Sequence, residues 1–263
     1  MPAILTAPIL GVLSLGGSLR FAGRFVSNIT MLTAARFLLC LVTAFAVVVL
    51  AGTPRCFGAD AAAALKGALA RSVGHATRWL DERDYKSLVQ STGGILLLTE
   101  VLKAKGDDPD WQAGLQDVLA RTREVQAAAR EEDLARCKSG LDAVGAAIGR
   151  IEKAAPAGKA LELPKAAIRP LMLTLDSLQA DAKVALLTGN VPTAKNQAAV
   201  LAELSRLVSN SRTTETWSGL AADFQKACEA AASSSETDPK VVRQLFRGIA
   251  ERCEACHENS RQK

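Results

Sequence analysis

Leu65, Leu69, Ala76 and Leu80 return 106 residues later as Leu171, Leu175, Ala182 and Leu186. The spacings of 4, 7 and 4 put each set on one face of a helix. At the same offset Leu98 meets Leu204, Trp111 meets Trp217 and Asp117 meets Asp223. With a slip of one residue, Asp133, Leu141 and Val144 meet Asp238, Phe246 and Ile249. Leucine stripes match by chance in helical proteins, but a tryptophan at the start of each third helix is harder to obtain that way. A chain that repeats at this period is expected to fold as two similar units.

Those units are helical. Alanine and leucine abound, aromatic residues are only 4% of the chain, and no Val/Ile/Thr run alternates as a strand would. Eight helices are expected, at roughly 62–83, 86–105, 109–129, 132–153, 165–188, 192–209, 214–232 and 238–258. Gly106-Asp107-Asp108-Pro109 and Gly189-Asn190-Val191-Pro192 are stop and turn signals, and Asp238 before Pro239 is an N-cap with proline in the first helical position. Ala154 to Lys159 is the linker candidate. The expected fold is all-α, two tandem up-down four-helix bundles at 62–155 and 156–263 behind a leader at 1–61.

The leader is read from Arg36, the apolar run Phe37 to Ala51, and the break at Gly52-Thr53-Pro54-Arg55. A transmembrane helix wants about 20 apolar residues, so this run is of signal-peptide length and implies export. Ala59-Asp60-Ala61 has the small-x-small form of a cleavage site, which starts the mature chain near Ala62. An uncleaved membrane anchor is the alternative. A second apolar stretch, Ile4 to Leu19, is odd for one leader, and Met31 is the better start. Arg20, Arg24, Arg36 and Arg55 against Asp60 belong to the leader, so the net charge of +5 falls to about +2 in the mature chain. The basic balance is no argument for nucleic acid, and no arginine–aromatic interleaving suggests it.

The two halves differ in one place. The second reads Cys253-Glu254-Ala255-Cys256-His257, the attachment site of a c-type haem. Each cysteine can form a thioether to a porphyrin vinyl group, and the adjacent imidazole becomes the proximal iron ligand. The first half has Ile148-Gly149-Arg150-Ile151-Glu152 there, so it should hold no haem. A thioredoxin-like pair would want a βαβ context, which is missing. A zinc site from Cys137, Cys228, Cys253 and Cys256 would lack paired spacing at its first two members. Cys137 and Cys228 are read as buried free thiols, with a bridge between the halves as the alternative. His75, with no cysteine near it, is read as solvated or hydrogen-bonded.

A C-x-x-C-H at the end of the last helix of a four-helix bundle resembles the class II c-type cytochromes, cytochrome c prime and its low-spin relatives. The resemblance covers 165–263 directly and 62–153 through the repeat. It implies one covalent haem c held by Cys253 and Cys256, with His257 as proximal ligand, and Arg169 and Arg261 as further cofactor-binding candidates. Arg261 stands four residues after His257, where the family often has an arginine; the aromatic residue that usually precedes it is Ser260 here. Relatives with a methionine in the first helix use it as sixth ligand, and here Met172 is the only methionine of the mature chain. Relatives with an apolar residue there leave the iron five-coordinate, and Leu173 fits that pattern. Pro170 complicates both readings, since proline removes a helical hydrogen bond beside the ligand.

The resemblance implies an exported, periplasmic mono-haem cytochrome that exchanges electrons with a redox partner protein through a His/Met-ligated iron. The alternative is a five-coordinate binder of nitric oxide or carbon monoxide. A third reading makes the chain an interaction or redox-sensing protein working through its first bundle. No enzyme is expected: there is no Ser/His/Asp set, phosphate-binding glycine loop or metalloprotease pair, and two histidines are too few for acid–base work. Class II cytochromes commonly pair through their first two helices, so the haemless half is expected to supply that partner in cis, giving a monomer that is an internal pseudo-dimer.

Overall fold

Asparagine and aspartate start most of the helices. Asp84 Oδ1 accepts from Ser87 N (2.9 Å), Asp108 Oδ1 from Trp111 N (2.9 Å) and Asp133 Oδ1 from Arg136 N (3.0 Å). Asn190 accepts from Thr193 N (3.2 Å) and Asp238 from Lys240 N (2.8 Å). Each side chain satisfies an amide that the first turn leaves without a partner. The computed structural model describes residues 57–153, 156–211 and 215–261, with side chains from 61 and up to 258. Met31, the apolar run 37–51 and the side chain of Arg261 lie outside the described residues.

The described chain is all-α: α1 (Phe57–Asp81), α2 (Tyr85–Lys103), α3 (Pro109–Arg130), α4 (Leu134–Glu152), α5 (Ile168–Leu187), α6 (Val191–Ser211), α7 (Glu215–Ser233) and α8 (Pro239–Arg261). Among the described residues no helix is long and apolar enough to cross a membrane. All eight expected helices are present with shifted ends. α1 begins at Phe57, ahead of the expected mature start, because the alanine-rich run continues the helix backwards and buries Ala61 and Ala62. α5 begins at Ile168, so Pro170 sits in its first turn, where its missing amide costs no helical bond. The complication expected from Pro170 therefore does not arise.

The turns repeat as well. Arg83 ends α1 in the left-handed region (φ 57°), and Gly189, 106 residues on, ends α5 there (φ 75°). Their neighbours Asp84 and Asn190 are the two N-caps already described. The repeated leucines, alanines and tryptophans are all buried. Asp117 and Asp223 are matched in sequence but lie on the surface, in separate ion pairs with Arg121 and Lys226.

Each half closes on itself, α1 packing on α2 and α4, and α3 on α2 and α4; α5 to α8 follow the same order, with α5 against α8 the sparsest of the contacts. The halves then meet through α1 on α6 and α2 on α5. Exchanging the halves exchanges these two contacts, which is the pattern of an isologous, two-fold interface. One apolar core runs through both, from Leu65 and Leu98 to Leu171, Leu204 and Trp217, and residues 57–261 are one compact unit. The spans 62–155 and 156–263 thus share a core. Lys105 and Glu203 tie the halves by an ion pair at 2.5 Å, each side chain only 13% exposed. At Gly94 a Cβ would stand 3.2 Å from Thr174 Oγ1, so α2 and α5 approach closely.

The connection between halves is strapped down. Asp108 N donates to Ala157 O (3.3 Å), Lys159 N to Asp107 Oδ1 (2.7 Å) and Leu161 N to Ala104 O (2.8 Å). Gly158 (φ 81°) makes that path feasible, since a Cβ there would collide with Asp107 Oδ1 at 1.8 Å.

Candidate functional site

α8 carries an apolar stripe, Val242, Leu245, Phe246 and Ile249, that Cys253 and Cys256 continue at spacings of 4 and 3. The stripe faces the core: Val242 and Ile249 are fully buried, and both thiols are half-buried against it. His257, one residue further round, is exposed. The spacing of the motif therefore turns both sulfurs inward from one helical turn while the imidazole stands at the rim.

A cleft forms where this end of α8 meets α5, α6 and α7. Cys253, Cys256 and His257 line it together with Met172 of α5, and its walls are Leu175, Val208, Leu220, Ala221 and Phe224. Asp176 and Arg252 supply its charged edge. Leu173, next to Met172 but round the helix, lines the cavities between the halves instead and is 37% exposed. Arg169 also points elsewhere, into a groove with Tyr85, Lys86 and Arg130, so it is remote from the thiols. Arg261 ends α8, with its side chain outside the described residues.

Gln179 is the residue that sequence reasoning missed. Its Nε2 donates to Cys253 Sγ at 2.8 Å. The available signal was its spacing, seven residues after Met172 and so on the same face two turns on. Burial pushes the Cys253 thiol up to about 11, against the opposing pull of the Gln179 amide. This sulfur thus stays protonated at neutral pH.

Cys137 and Cys228 are fully buried on α4 and α7, and neither is in a disulfide. Neither lines the cleft. Among the described residues no three His, Cys, Asp or Glu side chains converge on a metal position, so the four-cysteine zinc cage is not assembled. His75 faces Asp181 (Nε2 to Oδ1, 3.3 Å) between the halves. Beside this pair a cavity of about 190 Å³ opens, lined by Ser91 and Ser177 among others. The positions related to those two by the repeat hold Gln197, whose Nε2 donates to Asp181 Oδ2 at 3.2 Å, and Arg71.

The donor set fits a c-type haem better than a bare metal ion. Two thiols on one helical turn could make thioethers, a following imidazole and a thioether sulfur from another helix could bind its iron, and the walls are apolar. A porphyrin brings its own equatorial nitrogens, so no cage of protein ligands is required. The cleft holds about 30 Å³ as it stands, so a macrocycle requires α5 and α8 to part, and theirs is the sparsest helix contact of this half. Compared with protein-family models, curated proteins and solved structures, the chain has no match in any of the three.

Proposed function

We propose that the protein is an exported mono-haem c-type cytochrome that transfers electrons, with the haem on Cys253 and Cys256, His257 as proximal ligand and Met172 as distal ligand. The observation that carries this reading is the convergence of Met172 with the C-x-x-C-H residues on one apolar cleft, while Leu173 turns away. Bound there, a haem supplies a one-electron couple whose potential a thioether ligand raises. The chain's own residues do the rest. Leu175, Val208 and Phe224 keep the site dry, and Gln179 and Arg252 place polar groups at its edge. If His257 and Met172 both held the iron, no coordination position would be left for a gas; the alternative, a binder of carbon monoxide or nitric oxide, requires that Met172 does not ligate.

The test is the visible spectrum of protein made in a host that matures c-type cytochromes. A low-spin haem with a Met–Fe band in the far red, resistant to acid extraction, is expected. Cys253→Ala with Cys256→Ala should remove the acid-resistant haem. Bound zinc without haem, or a five-coordinate high-spin spectrum, overturns the reading. On the same reading the first half serves as packing partner for the second, as the isologous contacts of α1 with α6 and α2 with α5 suggest, and the periplasmic protein runs as a monomer.

A further inference from the structure

A groove runs between α5 and α8. It holds about 510 Å³, and Gln179, whose amide bonds the Cys253 sulfur, forms one of its walls, so it abuts the edge of the cleft. Leu186, Leu187 and Phe246 form its apolar centre, and Lys183, Arg243 and Arg247 surround them. No carboxylate lines it, and none of the three cations has an ion-pair partner among the described residues. Leu187 is 64% exposed and Val184 beside it 60%, the two most exposed large apolar side chains described.

The repeat supplies an internal control. Under the same offsets Lys183, Leu187, Arg243 and Arg247 correspond to Thr77, Asp81, Lys138 and Asp142 in the half without the motif. There the exposed leucine has become an aspartate, and the three cations have become a threonine, a lysine and an aspartate. Bundle packing therefore requires neither the apolar centre nor the basic rim, since the sister bundle folds without them. Only the half with C-x-x-C-H carries both. An apolar centre inside a rim of one charge is the anatomy of a transient protein interface, in which charge complementarity steers the encounter.

We propose that this groove is the docking surface for an acidic redox protein, one that presents carboxylates around an apolar centre. The proposal rests on the electron-transfer reading, because it places the partner beside the haem-attachment edge. Desolvated contact with Leu187 and Phe246 would hold the complex, and Lys183, Arg243 and Arg247 would orient it. Steering by exposed charges is screened beyond about 8 Å at physiological salt, so the association must weaken as salt rises.

The probe is a flavodoxin, a small acidic redox protein, titrated into the isotope-labelled haem-loaded protein and followed by amide chemical shifts. Shifts should cluster on α5 and α8, and affinity should fall about tenfold between low and physiological-plus salt. Arg243→Glu with Arg247→Glu should weaken binding by at least about tenfold, and Arg243→Gln with Arg247→Gln by less, whereas Arg136→Glu with Lys138→Glu on the first half should leave it within about twofold. No binding, equal losses from both pairs, or shifts on another face would overturn the proposal. So would reversals that abolish binding to phosphatidylglycerol vesicles while sparing flavodoxin, which would make the groove a membrane contact. The visible spectrum of the same sample reports on the haem separately: absent haem with intact groove binding sinks the electron-transfer reading and leaves the surface standing.

Discussion

His75 Nε2 lies 3.3 Å from Asp181 Oδ1, and the two residues hold the same position in their halves, 106 apart. On a two-fold axis a residue meets its own copy. In a dimer of identical chains this point would set histidine against histidine or aspartate against aspartate, and two carboxylates at this distance repel. Joined in one chain, the two copies can diverge into partners, and an imidazole facing a carboxylate is a compatible pair. The same divergence separates Ser91 from Gln197 and Ser177 from Arg71, and a cavity opens beside the pair on the side of Ser91 and Ser177.

The interface should be sensitive to bulk on α2. Gly94→Leu drives a side chain at Thr174, whose Oγ1 is already 3.2 Å from the position of a Cβ, and should cost about 1–3 kcal/mol. Gly145→Ala is the contrast, since nothing lies within 4 Å of its Cβ position on the exposed face of α4, and should gain about 0.5–1 kcal/mol. Urea denaturation of the two variants checks both signs.

The paired tryptophans act on helix ends. Trp111 Nε1 donates to Leu102 O (3.3 Å) and Trp217 Nε1 to Val208 O (2.7 Å), acceptors that are themselves 106 apart and lie in the last turns of α2 and α6. Each carbonyl keeps another donor, Lys105 N and Ser211 Oγ respectively, so neither is orphaned by a substitution. Trp111→Phe and Trp217→Phe should each cost about 1–2 kcal/mol. The double variant should be additive to within about 0.5 kcal/mol, because the sites share no partner. Coupling well beyond that in denaturation midpoints would show that the two halves transmit strain to each other.

On the proposed cytochrome reading, adjacent residues on α5 should behave oppositely towards the haem. Met172→Ala should turn the iron high-spin and create carbon monoxide affinity, whereas Leu173→Ala should leave the spectrum unchanged, because only Met172 lines the cleft. Absorption and carbon monoxide difference spectra read both. A low-spin spectrum that survives Met172→Ala assigns the distal position to another group.

Cys228 ties stability to alkaline pH. Burial is the main cause that lifts its thiol above the ordinary 9.0, with Cys253 adding to it. The unfolded thiol ionises first as pH rises, so unfolding releases a proton above pH 9 and stability falls there, by up to about 1.4 kcal/mol per pH unit, while below pH 9 this group contributes no slope. Thr122 stands at the corresponding position of the first half, fully buried and bonded to Val118 O (2.7 Å). Cys228→Thr should therefore flatten the alkaline fall, measured as denaturation midpoints between pH 8 and pH 10.5. An unchanged slope assigns the alkaline loss to other groups. Native Cys137, also raised by burial, and Cys228 should resist thiol reagents until the protein unfolds.

The eight helices, the repeat and the motif were all legible in one dimension, because each depends on local rules. Apolar spacing sets a helix face, Asp or Asn followed by a free amide starts a helix, and C-x-x-C-H needs only one turn to present both sulfurs. Helix ends were less legible: α1 runs back to Phe57 because an alanine run has no stop signal, and α5 starts at Ile168 because Pro170 suits a first turn. Arg169 shows the limit of carrying a residue over by neighbourhood: it stands four residues before Leu173, so it shares that residue's helix face and its groove rather than the cleft that Met172 lines.

The amino-acid sequence by itself determined an all-α chain with two related halves, only the second carrying a C-x-x-C-H motif. Tertiary structure alone decided which residues share a site. Met172 rather than Leu173 meets Cys253 and His257, Gln179 finds the Cys253 sulfur, and His75 finds Asp181. The physical reason is that periodicity specifies the face a residue occupies on its own helix, whereas the partner of that face depends on how helices far apart in the chain are rotated against one another. That rotation is set by close packing across the whole core, summed over many small contacts, and no short stretch of sequence records it.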